Sequence, residues 1–182
     1  MLAERQTINC CFMSDSAERH RTAAAGRTAG CAVLTVSDSR GPDGDPGGDL
    51  VAERVTGAGH RVVVRDWVRD EPMAIGKVLG EWLARTDVDV ILTTGGTGIS
   101  RRDTTVEVVE RFLDKRLDGF GELFRALSYE EVGAAAMLSR AVAGLARGVF
   151  VFTLPGSPAA VTLALDKLIL PELPHLLWER QR

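Results

Sequence analysis

The feature that most constrains this chain is a strand-like run that ends in a turn containing three glycines. Residues 88–94 are mostly apolar or β-branched, as a strand buried on both faces of a parallel sheet is. The turn at residues 94–98 (TGGTG) follows, and residues 104–115 have the pattern of a helix. Because open α/β sheets bind ligands outside the carboxyl ends of their strands, this arrangement predicts a ligand site.

The glycine turn has the properties of an anion cradle. Glycine reaches φ > 0 and lets a ligand approach without a Cβ in the way, and free N–H groups at the start of the next helix favour an anion. The spacing matches neither a P-loop nor the dinucleotide fingerprint. Two interpretations stay open: a phosphate or nucleotide cradle, and a tight strand-to-helix turn. The first predicts that Gly96→Val weakens ligand binding and leaves the fold largely intact.

Strands and helices alternate through much of the chain. The predicted strands are Gly30–Val36, Arg61–Val68 and 88–94, and the predicted helices are 49–58, 72–85 and 104–115. Asp49 is a suitable helix cap, and Pro72 fits a first helical turn. Three strand-then-helix units predict a doubly wound, mostly parallel sheet with helices on both faces, which is a three-layer α/β fold.

The alternation of strand and helix stops after residue 115. The elements predicted there are a helix at 122–131, strands at 139–145 and Val149–Leu154, and helices at 159–169 and 171–180. Ala146-Arg147-Gly148 joins the two strands as a short antiparallel hairpin would. Ser157 is expected to cap the next helix, with Pro158 in its first position.

Composition limits the partners that this chain can have. Its net charge of −3 argues against a sequence-independent grip on nucleic acid. No apolar run approaches the ~20 residues of a membrane span, and the opening residues lack the apolar core of a secretory signal. We therefore expect a cytoplasmic protein with no membrane partner. Cys10, Cys11 and Cys31 give no disulfide framework.

The first residues of the chain differ from the rest. Residues 1–28 are polar and have no clear period, so we expect a flexible tail followed by one domain at residues 29–182. Met13 could itself be a natural start, in which case residues 1–12 are an upstream extension of the reading frame. The mass of the intact native protein decides between the two starts.

Four spaced motifs resemble the MogA/MoaB family of molybdenum cofactor biosynthesis proteins, and its MoaB branch more than its MogA branch. They are the TGGTG turn with Arg102-Asp103-Thr104-Thr105, Gly119-Phe120-Gly121-Glu122 with Phe124-Arg125, Leu138-Ser139-Arg140-Ala141, and Leu154-Pro155-Gly156-Ser157-Pro158. The resemblance extends from Gly30 to near the C-terminus. Several motifs in the same order are more specific than any one of them.

The resemblance implies an α/β fold around a mixed sheet, assembled as a homotrimer or as a hexamer of two trimers. It implies binding of molybdopterin, a pterin with a dithiolene and a terminal phosphate. The implied reaction is that of a nucleotidyltransferase, molybdopterin adenylyltransferase, which uses Mg·ATP and releases pyrophosphate. The product would be handed over to a molybdenum insertase.

The resemblance also implies two functional carboxylates. Asp103 follows the glycine turn and Asp70 follows the second strand, so both should lie at the same edge of the sheet. Mg²⁺ takes one or two carboxylates together with phosphate oxygens and water, and both residues are candidate catalytic groups and magnesium ligands. The alternative for each is a helix cap, beside Thr104 in the case of Asp103.

Two groups of ligand-binding residues complete the expected site. The nucleotide-binding group is Gly95, Gly96, Thr97, Gly98, Gly119, Gly121, Glu122, Pro155 and Gly156. The pterin-binding group is Ser37, Asp38, Ser139, Arg140 and Ser157. Ser139 could instead be an ordinary strand residue, and Glu122 a helix N-terminal charge. Gly47 stands near the place where many relatives have a serine, so a hydroxyl contact to phosphate is missing or is replaced by a backbone N–H.

Two other functions are compatible with the same sequence. One is a carrier that holds molybdopterin or its adenylate without turnover. The other is a hydrolase of nucleotide pyrophosphates, because competence-damage-type proteins contain the same domain. Retention of both Asp70 and Asp103 favours the enzyme over the carrier.

Overall fold

The computed structural model describes residues 22–39, 41 and 44–181, and a mixed six-stranded sheet forms its centre. The strands are β1 (Gly30–Val36), β2 (Arg61–Val68), β3 (Val90–Thr94), β4 (Lys115–Arg116), β5 (Val142–Ala146) and β6 (Val149–Leu154). Their order is β2-β1-β3-β6-β5-β4. The four neighbouring strands β2, β1, β3 and β6 are parallel to one another, whereas β5 is antiparallel to both of its neighbours, β6 and β4. The predicted α/β fold with one antiparallel hairpin is confirmed.

Most of the predicted tail lies outside the described residues, and so do Met13 and the adjacent cysteines. The described part begins with a helical turn at residues 22–24, in which Ala24 is fully buried. Arg27 donates a hydrogen bond of 2.6 Å to Gln181 Oε1. This bond connects the segment before β1 to the last described residues of the chain.

Six α-helices follow β1 in the described part of the chain and flank the sheet. They are α1 (Pro46–Gly57), α2 (Pro72–Trp82), α3 (Thr105–Glu110), α4 (Asp118–Val132), α5 (Pro158–Ala164) and α6 (Leu170–Glu179). A 3₁₀ segment, Gly133–Leu138, follows α4, and a π-helical segment, Leu165–Ile169, joins α5 to α6. None of the helices among these residues has the length and apolar character that crossing a membrane requires.

The start of α1 differs from the prediction. Asp45 is the cap, not Asp49: its Oδ1 accepts the Gly48 N–H at 2.9 Å, and Pro46 occupies the first helical position. The physical reason is that proline has a preset helical φ and no N–H to leave unpaired. Asp49 lies in the first turn instead, where its carboxylate pairs with Arg65 at 2.7 Å.

The boundaries around β4 also differ from the prediction. The helix predicted at 104–115 ends at Glu110, because Lys115–Arg116 pairs with β5 as an additional strand. The helix predicted at 122–131 also begins earlier, at Asp118, so the glycine-bearing stretch at 119–121 lies in the first turn of α4. Packing overrides the local preference there, since Phe120 meets Phe152 edge-on with ring centroids 5.2 Å apart.

The predicted hairpin is confirmed with a shift in its first strand. β5 begins at Val142 rather than at residue 139, and a two-residue turn connects it to β6. Arg147 and Gly148 have φ of 50° and 82°. A two-residue turn with positive φ at both positions matches the twist of the strands that it joins.

The core lies on both faces of the sheet, because side chains alternate along each strand. On β1, Cys31 and Val33 point to one face, which packs against α1, α4, α5 and α6. Ala32, Leu34 and Val36 point to the other face, which packs against α2 and α3. Three layers result, as predicted, and the turns at the strand ends are held by elements that are buried on both sides.

His60 generates a prediction about pH and stability. Its side chain is buried, and its Nδ1 accepts the Ala29 N–H at 3.2 Å. Burial lowers the pKa of the imidazole from 6.5, so the unfolded chain takes up a proton at a higher pH than the folded chain does. His60 therefore costs stability progressively as the pH falls below about 6.5.

In His60→Asn an amide oxygen can replace the ring nitrogen as acceptor, and no proton is taken up. Between pH 7.5 and 5.5, the melting temperature of the variant should fall by less than that of the wild type. Thermal melts across this range measure the difference. Parallel curves for the two proteins would contradict the assignment of acid sensitivity to His60.

Candidate functional site

Four turns meet at one edge of the sheet. Thr35 of β1 is level with Thr94 of β3, and Thr94 is level with Leu154 of β6, so these strands end side by side. Because β5 runs in the opposite direction, the residues before it arrive at the same edge. The structure thus brings to one place the turns that contain Ser37, Asp70, the glycine turn and the Pro155 turn.

The glycine turn is glycine-rich because the backbones there leave no room for side chains. Gly95 and Gly96 have φ of 98° and 64°, which is the left-handed region that glycine adopts most readily. A Cβ on Gly95 would lie 2.1 Å from the Val36 carbonyl oxygen, and Gly156 packs against Gly95 from the other side. Close packing between strand ends therefore accounts for Gly95, whereas a Cβ on Gly96 would meet the side chains of Thr105 and Asp70.

Asp70 lies behind the glycine turn and is only 6% exposed. Its Oδ1 accepts the Thr104 hydroxyl at 2.6 Å and the Thr104 N–H at 3.0 Å. Burial raises the pKa of this carboxyl, although the two Thr104 hydrogen bonds oppose the shift and the charges of Asp103 and Asp38 add to it. Asp70 does not cap α2, because the residue at the cap position is Glu71, whose side chain makes no capping hydrogen bond. The carboxylate is hydrogen-bonded to the turn before α3 instead.

Asp38 connects the turn after β1 to the turns after β2 and β3. Its oxygens accept hydrogen bonds of 2.8 and 2.9 Å from Arg102, and its Oδ1 also accepts the Asp70 N–H at 3.2 Å. The Arg102 hydrogen bonds lower the pKa of this exposed carboxyl. Asp38 thus has much of its hydrogen-bonding capacity engaged within the protein.

Asp103 is half-buried, and its Oδ2 accepts the Ser100 N–H at 2.8 Å. It is not the cap of α3: the residue at the cap position is Thr104, which makes no side-chain capping bond. The Thr104 N–H is satisfied by Asp70 instead. The alternative of a helix cap beside Thr104 is therefore wrong for Asp103.

Arg140 holds the glycine turn in place. Its guanidinium donates to the Thr97 carbonyl at 3.4 Å, to the Asp103 carbonyl at 3.0 Å and to the Glu107 carboxylate. The bond to Arg140 lowers the pKa of Glu107. Arg140, a residue of the expected pterin-binding group, thus has its guanidinium engaged with three protein acceptors.

A cavity of about 450 Å³ opens beside the glycine turn. Among the expected ligand-binding residues it is lined by Gly95, Gly96, Thr97, Gly98, Asp103, Ser139, Pro155, Gly156 and Ser157. Its opposite wall is mostly apolar, from Phe124 of α4 to Ala135, Ala136 and Leu138 of the 3₁₀ segment. An apolar wall facing a polar backbone turn suits a planar heterocycle attached to a charged group. We call it the apolar cavity.

A smaller cavity, of about 220 Å³, lies on the other side of Gly95 and Gly156. It is lined by hydroxyl and carboxylate groups, including those of Thr35, Ser37 and Asp45. We call it the polar cavity. Because Gly95 and Gly156 line both cavities, the two form adjoining compartments with the glycine turn between them.

Comparison with known proteins identifies the family. Residues 32–175 match the family described as "Probable molybdopterin binding domain". The chain belongs to the MogA/MoaB family of molybdenum cofactor biosynthesis proteins. It is 53% identical over 152 residues to Molybdenum cofactor biosynthesis protein B of Staphylococcus carnosus, covering 82% of this chain and 89% of that protein.

Solved structures of MoaB proteins have the same fold. A crystal structure of a Molybdenum cofactor biosynthesis protein B matches with a TM-score of 0.84 and 46% identity, covering 87% of this chain and 99% of that one. The tungsten cofactor synthesizing protein MoaB from Pyrococcus furiosus matches with a TM-score of 0.78 and 42% identity, covering 87% and 100%. The resemblance to the MoaB branch is confirmed.

Three residues expected to bind the nucleotide line neither the apolar cavity nor the polar cavity. Gly121 and Glu122 line a third cavity of about 460 Å³, together with Arg140 and carboxylates of α3, and this cavity shares Ser139 with the apolar cavity. Gly119 is exposed, and a Cβ there would meet nothing within 4 Å. A Cβ on Gly121 would lie 2.8 Å from the Ala141 carbonyl oxygen, so close packing of α4 on β5 explains that glycine.

The residues present suit the magnesium ion that MogA/MoaB chemistry implies. Among the described residues, no group of three or more His, Cys, Asp or Glu side chains could hold a metal by itself. Mg²⁺ is usually held by one or two carboxylates plus substrate phosphates and water, and Asp70 and Asp103 supply two carboxylates beside the glycine turn. The pair therefore fits an ion that arrives with a nucleotide.

Several residues of the site were not foreseen from the sequence. The apolar wall of α4 and the 3₁₀ segment has the pattern of an ordinary amphipathic helix, which gave no sign of a ligand. The partners of Asp70 and Asp38, namely Thr104 and Arg102, stand inside the RDTT motif, and that position was their only available signal. Gly47, which stands near the place where many relatives have a serine, lines the polar cavity. A Cβ at this position would lie 3.7 Å from the Thr94 methyl group.

The structure corrects the expectation that a side chain at Gly96 leaves the fold intact. A Cβ there would lie 2.1 Å from Thr105 Oγ1 and 2.4 Å from Asp70 Oδ2, at a φ of 64°. We predict that Gly96→Ala lowers the free energy of unfolding by about 1–3 kcal/mol, the cost of strained backbone together with displaced neighbours. Chemical denaturation measures the change.

Gly119→Ala is the matched control, because that glycine is helical and exposed with space around it. It should raise the free energy of unfolding by about 0.5–1 kcal/mol, the difference in helix preference. Equal stability of Gly96→Ala and the wild type would contradict the packing described for the glycine turn.

Proposed function

We propose that this protein is a molybdopterin adenylyltransferase, which joins AMP from Mg·ATP to the terminal phosphate of molybdopterin and releases pyrophosphate. The observation that carries the proposal is the pair of adjoining cavities with the glycine turn between them. A reaction that links two phosphate-bearing molecules needs two compartments that meet at a common anion cradle. Membership of the MogA/MoaB family supports a pterin as one of the two ligands.

The apolar cavity takes the nucleotide in this proposal. Its wall of α4 and the 3₁₀ segment offers apolar contact to a planar base, and the backbone of Gly95, Gly96 and Gly98 approaches the phosphates. The polar cavity takes part of the pterin, because a pterin ring carries many hydrogen-bonding groups and Ser37 offers a hydroxyl there. Ser139 and Ser157, which were expected to bind the pterin, line the apolar cavity instead.

The bonds balance without an additional reactant. An oxygen of the molybdopterin phosphate attacks the α-phosphorus of ATP, the bond from that phosphorus to the bridging oxygen breaks, and pyrophosphate leaves with the electron pair. A phosphate monoester has a second pKa near 6, so its oxygen is largely unprotonated at neutral pH. The protein therefore needs no strong general base. Positioning and charge stabilisation carry the catalysis.

The carboxylates of the site account for the need for a cation. Asp70 and Asp103 lie beside the glycine turn, and two polyanionic substrates would be repelled by them. When bound, Mg²⁺ neutralises part of the phosphate charge, with Asp103 and Asp70 as its protein ligands. Arg140 acts by holding the carbonyls of Thr97 and Asp103, which fixes the turn that receives the phosphates.

Incubation of the protein with molybdopterin and Mg·ATP tests the proposal. Adenylyl-molybdopterin and pyrophosphate should form in equal amounts, and neither should form without the pterin. Molybdopterin binding without product would show a carrier. Cleavage of ATP in the absence of molybdopterin would show a hydrolase of nucleotide pyrophosphates.

Replacing Asp103 separates its charge from its structural contact. In Asp103→Asn, an amide oxygen can still accept the Ser100 N–H, so the melting temperature should change little. Turnover should fall by roughly 10²–10³-fold, the scale of removing one preorganised stabilising group. Product formed per protomer at saturating Mg·ATP measures this, and molybdopterin binding should persist.

Asp114→Asn is the matched control for Asp103→Asn. Asp114 is also an aspartate that accepts a backbone N–H, that of Arg147 at 2.6 Å, in the hairpin connection away from the site. This variant should keep wild-type turnover. Normal turnover in Asp103→Asn would remove Asp103 from the mechanism and leave Asp70 as the one carboxylate with a proposed catalytic role.

A further inference from the structure

The Asp70 carboxylate is held through one of its two oxygens. Oδ1 accepts both the hydroxyl and the backbone N–H of Thr104, at 2.6 and 3.0 Å. The Thr104 hydroxyl does not cap the helix that follows: Thr104 stands at the cap position of α3, but its side chain makes no capping hydrogen bond. The contact to Asp70 is therefore the structural use of this hydroxyl.

The other oxygen of Asp70 faces the glycine turn. Oδ2 lies 2.4 Å from the point where a Cβ on Gly96 would stand. The Thr105 hydroxyl lies 2.1 Å from the same point, is buried and has no hydrogen-bond partner among the described residues. The orientation of the carboxylate thus determines whether an Asp70 oxygen reaches the turn that receives the phosphates.

We propose that Thr104 is a positioning residue, whose hydroxyl holds the Asp70 carboxylate with Oδ2 facing the glycine turn. The kinetic part of this inference rests on the proposed adenylyl transfer, whereas the geometric part does not. In the proposed adenylyl transfer, Thr104 itself contacts no reacting atom. Its effect passes through Asp70, which is buried and cannot be reoriented by bulk water.

The physical argument is that the second torsion of aspartate is broad and roughly two-fold, so the side chain by itself does not choose which oxygen faces the turn. A hydroxyl bonded to an ionised carboxylate is among the stronger hydrogen bonds in proteins. Without it, a single backbone N–H holds Oδ1. A misplacement of about 1 Å at a catalytic group can cost as much as 10²-fold in rate.

Two variants separate the hydroxyl from the rest of the side chain. Thr104→Val keeps the shape and the backbone N–H and removes the hydroxyl, whereas Thr104→Ser keeps the hydroxyl. Thr153→Val is the matched control, because it makes the same change at a buried threonine of β6 whose hydroxyl has no hydrogen-bond partner in the described part of the chain. Thermal melts show that each variant is folded before it is assayed.

We expect kcat of Thr104→Val to fall about 10–100-fold, within the range for a displaced catalytic group, with little change in KM for either substrate. Thr104→Ser should recover most of the loss, and Thr153→Val should keep wild-type kcat. A raised KM with unchanged kcat in Thr104→Val, or a Thr104→Ser variant as slow as Thr104→Val, would overturn the inference.

Crystal structures of the wild type and of the two Thr104 variants decide the geometry independently of activity. The Asp70 carboxylate should be rotated or disordered in Thr104→Val and unchanged in Thr104→Ser. An unchanged Asp70 in Thr104→Val would overturn the inference. A rotated Asp70 in a protein whose wild type forms no adenylyl-molybdopterin would support the positioning by Thr104 and refute the proposed function.

Discussion

The candidate site depends on the close approach of the strand ends at the glycine turn. The Gly95 N–H donates to the Leu154 carbonyl at 3.0 Å, and the Gly95 backbone lies against Val36 with no room for a Cβ. These contacts join β1, β3 and β6 at one point. Any larger residue would push the strand ends apart, and the two cavities that adjoin at Gly95 and Gly156 would no longer meet there.

Two ion pairs around the glycine turn connect the neighbouring loops to one another. Asp38 is bonded to Arg102 and Arg140 is bonded to Glu107, so each of these ions has a partner within the protein. Exposed ion pairs contribute little to stability, and the first pair is largely exposed. Their importance here is geometric, because they connect the turns after β1 and β3 and connect the segment before β5 to α3.

Burial of Asp70 links the fold to the proposed chemistry. A buried carboxylate is costly unless its oxygens are hydrogen-bonded, and Thr104 supplies two donors to one of them. The other oxygen, Oδ2, faces the glycine turn. In the proposed reaction it would be available there to a cation that arrives with a nucleotide. The same contact thus lowers the cost of a buried charge and selects the oxygen that faces the turn.

Local patterns were sufficient to predict the alternation of strands and helices, the hairpin at Arg147 and the glycine turn, because each depends on hydrophobic period or on residues that permit unusual φ. They failed at Asp45 and at β4, where capping geometry and pairing with β5 determined the boundaries. Which motif residues share a cavity was decided by tertiary packing alone. Gly121 and Glu122 belong to a family motif, yet they line the cavity beside Arg140 and not the apolar cavity. The packing of α4 that places them there involves contacts between residues distant in sequence, which no local pattern can predict.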